Sequence, residues 1–173
     1  MNETFFYLFN NLALKSEVFD TFAIFCADWL VWWMIVFFIF IFFYKKIALN
    51  KFFVSSFSVL TVWGIAKIVK EFYFSPRPFV ILEKVNLLFS HGLNDSMPSG
   101  HTVLVFALAV AVFKYNKIIS APFFLGAVLI ALSRVVVGVH WPLDILAGAV
   151  LGIVGVLVVE KILIWFYKKY LQI

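Results

Sequence analysis

Three short clusters in this sequence combine residue types that handle phosphate. Lys70 is followed, after six intervening residues, by Arg77-Pro78. Pro98-Ser99-Gly100-His101 forms the second cluster, and Ser133-Arg134 with His140 and Asp144 the third. An arginine meets a phosphoryl group with a planar fork of donors, and a lysine adds a compact positive charge. Ser99 follows a proline at the start of an apolar run, where serine caps helices, and Gly100 allows a ligand close to the backbone. The free N–H groups and the dipole of such a helix start attract an anion. His140 and Asp144 stand four apart and share a face if that stretch is helical. A carboxylate bonded to one imidazole nitrogen fixes the tautomer and makes the other nitrogen more basic, which suits nucleophilic attack.

Each cluster taken alone has a plainer reading. Pro-Ser-Gly starts helices constantly, Asp144 could simply cap a helix, and Lys70, Arg77 or Arg134 could be interface cations. Three cations gathered on one side with two histidines need an anion, and a phosphate fits them better than the acids of that side.

The elements that must carry these groups belong to a membrane protein. Of 173 residues 65% are hydrophobic, 20% aromatic and only 13% charged, against roughly half apolar and a quarter charged in a soluble domain. The length suits one compact helical unit over residues 1–173, with nothing left for a soluble domain. Cys26 is the sole cysteine, which excludes an intrachain disulfide and a thiolate metal site. The net charge of +5 does not indicate nucleic acid, because the lysines gather at the ends of apolar runs and form no basic stripe. Glu3 precedes any lysine and no small-residue cleavage site follows, so no cleavable signal peptide is expected.

A spanning helix takes about 20 mostly apolar residues. The pattern predicts an all-α transmembrane bundle with five full spans near residues 21–44, 52–72, 99–115, 118–139 and 142–167. Pro122 falls in the first turns of the fourth span and Pro142 in the first turn of the fifth. Residues 5–14 are too short to span and read as an interfacial or re-entrant helix, giving a six-helix core. Lys45, Lys46 and Lys51, then Lys114 and Lys117, then Lys168 and Lys169 all fall at one end, which becomes the cytoplasmic side. The three clusters fall at the other end. Residues 73–98 form the only long connection, and a loop of that length is functional more often than not. Within it His91 and Asp95 read as solvated. Asp28 lies deep enough to need a partner, with Lys67 the candidate, and the many Trp and Phe read as lipid-facing packing and belt residues rather than a binding box.

With all three clusters in this order and at these spacings, the chain resembles the type-2 phosphatidic acid phosphatase superfamily, in its membrane lipid phosphatase branch. The motifs cover residues 70 to 144. The resemblance implies that His140 is the nucleophile, forming a phosphohistidine, that Asp144 orients it, and that His101 is the general acid. It implies that Lys70, Arg77 and Arg134 hold the phosphoryl oxygens together with Ser99 and the Gly100 amide. It implies no metal and no other cofactor, and no carboxylate cluster in the sequence suits magnesium. The expected partner is a lipid phosphate or pyrophosphate in a bacterial inner membrane, with the site facing the periplasm. The stretch from Ser75 to Val80 is similar to small undecaprenyl pyrophosphate phosphatases, and the compact size to lipid A 1-phosphatases and phosphatidylglycerophosphate phosphatases. Two rivals stay open: a lipid phosphotransferase, and a non-enzymatic lipid transporter whose cations bind head groups.

Overall fold

The structure, a computed structural model, describes residues 2–93 and 96–170. Among them are α1 (Asn2–Asn10), α2 (Glu17–Tyr44), α3 (Leu49–Phe72), the single turn α4 (Pro78–Ile81), α5 (Gly100–Phe113), α6 (Lys117–Val136) and α7 (Pro142–Tyr170). Four of these, α2, α3, α6 and α7, are long and apolar enough to cross a membrane. α5 has 14 residues, about 21 Å of helix, against a hydrocarbon core of about 30 Å. The all-helical bundle is as expected, with four long apolar helices and one shorter apolar helix at the place of the third expected span. Its ends lie within two residues of the expected 99–115, with Ser99 in extended backbone as the N-cap and Lys114 closing the helix.

α5 is the hub of the bundle. It packs on α6, α7 and α3 and more lightly on α2, and nine of its residues are buried. Two glycines one helical turn apart on α7 set its distance. A Cβ on Gly148 would stand 2.9 Å from the Ser99 carbonyl oxygen, and one on Gly152 2.6 Å from that of Val103. Small residues at this spacing let two backbones approach closely. The start of α5 is thereby drawn against the first turn of α7, where the Ser99 N–H donates to the Asp144 carbonyl oxygen at 3.1 Å.

α2 and α3 behave differently. Their contact is concentrated at the lysine-rich end, where Phe52 packs against Phe38, Phe42 and Phe43. Towards the opposite end, the site end, a cavity separates them. α1 does not span. It docks at the site end through buried Asn10, which donates to the carbonyl oxygens of Asn86 and Val136, both at 2.9 Å, and accepts from the Asn86 N–H. At the lysine-rich end, buried Glu160 of α7 pairs with Lys114 and accepts from the Ser55 hydroxyl at 3.0 Å. Ser55 in turn lies 2.9 Å from the Tyr115 hydroxyl.

Candidate active site

The third cluster is shaped by how α6 ends. Gly138 has φ +88°, the left-handed conformation that closes a helix. Its N–H donates to the Val135 carbonyl oxygen and the Val139 N–H to that of Arg134, so the chain folds back over the last turn. The His140 N–H reaches the same Arg134 carbonyl oxygen at 3.3 Å. A five-residue gap in sequence thus becomes adjacency in space. A Cβ on Gly138 would also meet Val85 Cγ1 at 2.8 Å.

α7 then starts with Pro142, and Asp144 reaches back from its first turn to accept the Trp141 N–H at 2.7 Å. That is the acidic half of a capping box. The same Oδ2 lies 3.3 Å from His140 Nδ1, so the cap and the imidazole partner are one carboxylate. The two readings of Asp144 coexist. Ser96, fully buried, joins them: its Oγ is 3.1 Å from His140 Nδ1 and donates to Asp144 Oδ2.

The first cluster docks on this turn. Buried Arg77 donates from Nη1 to the Val139 carbonyl oxygen at 2.7 Å, and the Trp141 indole N–H donates to the Pro76 carbonyl oxygen at 3.0 Å. Buried Arg134 donates to the Ala27 carbonyl oxygen at 3.1 Å and reaches His91 Nε2 at 2.9 Å. Ala27 lies in a π-helical turn of α2 over Phe25–Trp29, the kind of local widening that recurs at functional sites. Arg134 Nε and His91 Nδ1 are buried without a hydrogen-bond partner among the described residues.

Lys70, Arg77, Gly100, His101, Arg134 and His140 all line one cavity of about 570 Å³, within the range of small-molecule sites. Two candidates stand behind its wall. Asp144 lies under His140, and Ser99 is buried at the cap position of α5 without capping it, its Oγ accepting from Thr102 Oγ1 at 3.0 Å. Beyond the polar end the cavity becomes an apolar trough between α2 and α3, with Val31, Trp32 and Ile35 on one side and Val59, Leu60 and Trp63 on the other. Leu104 and Leu108 of α5 line it as well.

Three expectations need correcting. His91 is half-buried and lines the cavity rather than being solvated; Asp95 lies outside the described residues. Among the described residues no ion pair joins Asp28 to Lys67, because Asp28 is exposed and the Lys67 ammonium sits 3.8 Å from the centre of the Trp63 ring. The aromatic residues are not all belt, since Trp32, Trp63, Phe38 and Phe52 line the cavity. Sequence reasoning missed Ser96 and Lys67 as site residues. Ser96 is one serine in an irregular loop, and Lys67, one turn before Lys70, was the available signal.

The electrostatics follow from crowded cations. Burial, then the charges of Arg77 and Arg134, push His91 down to about 4. Burial, then Arg134, Arg77 and Lys70, hold His140 well below the ordinary histidine range. Both rings are therefore neutral at neutral pH. With Nδ1 turned to Ser96 and Asp144, His140 keeps the lone pair of Nε2 for the cavity. A phosphoryl group seated there can be met by three cations and attacked by an uncharged imidazole.

A family model described as the PAP2 superfamily matches residues 52–168. The chain is similar to the bacitracin transport permease protein BcrC of Bacillus licheniformis, 36% identical over 106 residues, 61% of this chain and 51% of that protein. It is also 36% identical over 98 residues to the undecaprenyl-diphosphatase BcrC of Bacillus subtilis, 54% of this chain and 50% of that one. The chain spans about half the length of the curated relatives it matches. The crystal structure of Aquifex aeolicus LpxE superposes with a TM-score of 0.76 at 32% identity, covering 92% of this chain and 94% of that one.

Proposed function

This chain belongs to the PAP2 superfamily, and from that premise we propose that it is an integral membrane phosphatase that removes a terminal phosphate from a lipid phosphate or pyrophosphate. One observation carries the reading: the cavity that gathers Lys70, Arg77 and Arg134 at one end continues as an apolar trough between α2 and α3. A ligand that fills both parts has a phosphorylated head and a hydrocarbon tail. Exposed Trp32 and Leu60 at the trough's rim suit entry from the bilayer.

In this reading the lone pair of His140 Nε2 attacks phosphorus while the bond to the leaving oxygen breaks. His101 gives that oxygen its proton. Lys70, Arg77 and Arg134 hold the phosphoryl oxygens as charge builds, with the start of α5 at Gly100 beside them. Water then hydrolyses the phosphohistidine. The three cations offset the developing charge, so activity should survive a chelator. The lysine-rich end is assigned to the cytoplasm, which puts the site at the periplasmic side of a bacterial inner membrane.

The names of the relatives favour undecaprenyl diphosphate as a first substrate to test. Phosphate release from purified lipids in detergent, comparing undecaprenyl diphosphate, lipid A, phosphatidylglycerophosphate and phosphatidate with EDTA present, is the direct test. Release from none of them would overturn the reading. One relative's transport name supports a second reading, a carrier of phosphorylated lipid. A carrier needs no nucleophile, so His140→Ala would keep its function.

A further inference from the structure

Resting on the nucleophile proposed above, we infer that Ser96 is a positioning residue for His140, its hydroxyl linking the imidazole to Asp144 through two hydrogen bonds. The chemistry of the three groups leaves one arrangement. An ionised carboxylate only accepts, so the single Ser96 proton goes to Asp144 Oδ2. The Ser96 oxygen, 3.1 Å from His140 Nδ1, then accepts the Nδ1 proton. That selects the tautomer with a bare Nε2, the atom that must attack.

Asp144 also meets the ring directly, though less closely than Ser96 does. Its Oδ2 is 3.3 Å from Nδ1 and is held by the Trp141 N–H at 2.7 Å. Moving closer to the ring would loosen the cap of α7. Ser96 itself is fixed from the other side, its N–H donating to the Ser75 carbonyl oxygen at 2.7 Å, and its side chain is fully buried. The hydroxyl therefore has little freedom to turn elsewhere. When Nε2 bonds to phosphorus and the leaving oxygen departs with the electron pair, the ring becomes cationic. The Nδ1–H bond to Ser96 strengthens while Asp144 stabilises the charge through it, and no proton changes atoms along this chain.

The test compares Ser96→Ala and Ser96→Thr in the full chain, purified in detergent, on the lipid that the protein hydrolyses fastest. Loss of a group that orients a metal-bound histidine costs about 10–100-fold, and we take the same scale for a reacting one. We expect Ser96→Ala to lose that much in kcat with KM little changed, and Ser96→Thr, which keeps the hydroxyl, to recover most of it. Nitrogen-15 NMR of the histidine rings should show His140 protonated at Nδ1 in the native protein and as a tautomer mixture in Ser96→Ala. An unchanged kcat and tautomer in Ser96→Ala, beside an inactive His140→Ala, would sink the role of Ser96 alone. Equal losses in Ser96→Ala and Ser96→Thr with weakened folding would also sink it, as the mark of a packing role. Activity retained in His140→Ala would remove the nucleophile and this inference together.

Discussion

The two ends of the bundle both bury charge, and they handle it in opposite ways. At the lysine-rich end Glu160 is matched by Lys114, and the Ser55 and Tyr115 hydroxyls complete the cluster. At the site end Lys70, Arg77 and Arg134 line a single cavity with three histidines. The hydrogen bonds of Arg134 there go to a carbonyl oxygen and to a neutral imidazole. Burying a charge is costly unless it is compensated. The first end is compensated within the chain and is a structural lock. The second gathers three cations around an open cavity, where an anionic group could meet all of them.

The largest difference between the two ends should show at His140. Its replacement by Ala should cost at least about 10³-fold in turnover, since a nucleophile acts as part of a unit, with the protein still folded by circular dichroism. Next, Arg134→Ala should lower kcat/KM by about 10²–10³. Its melting temperature in detergent should hold or rise, because a buried cation has left a cationic cluster. The matching change at the other end, Glu160→Gln, should do the reverse. It leaves kcat/KM intact and lowers stability by about 1–3 kcal/mol, towards the lower figure because Lys114 is partly exposed and can turn to water. An Arg134 variant that unfolds and a Glu160 variant that loses turnover would invert the assignment.

Smaller effects are expected at the other two histidines of the cavity. His101→Ala should cost about 10²-fold or more on alkyl phosphates and much less on substrates with good leaving groups. Equal losses across a leaving-group series would count against its acid role. For His91 the sign follows from its depressed pKa of about 4 against 6.5 unfolded. Between these values the unfolded chain binds a proton that the folded chain does not, so stability falls as pH drops from 6.5 towards 4. His140 pulls in the same direction. His91→Gln should therefore melt with a shallower pH dependence over this window, measured by thermal denaturation in detergent.

Local patterns read well from sequence because local geometry makes them. Apolar runs located the four long helices to within a few residues, and the four-residue step from His140 to Asp144 became a first-turn contact. Hydropathy located α5 as well, but could not tell that it is shorter than the other apolar helices and largely buried among them. The gap between Arg134 and His140 has its reason in the left-handed turn at Gly138, a glycine visible in the sequence whose role only the closed helix end reveals. Asn10 shows the limit from the other side: an ordinary amide near the N-terminus fastens α1 to residues 76 and 126 positions away.

Residue types, their short spacings and the lysine asymmetry determined the class of the protein, the membrane-spanning elements and the end at which the polar clusters gather. These depend on helix periodicity and on transfer to lipid, which act within about one span of chain. Only the tertiary structure decided that Ser96 lies between His140 and Asp144, across 44 and 48 residues, that His91 meets Arg134, and that α2 and α3 leave a trough between them. Such contacts come from how closely α5 and α7 approach and where α2 and α3 diverge. Those distances are set by packing between segments remote in the chain, which no local spacing encodes.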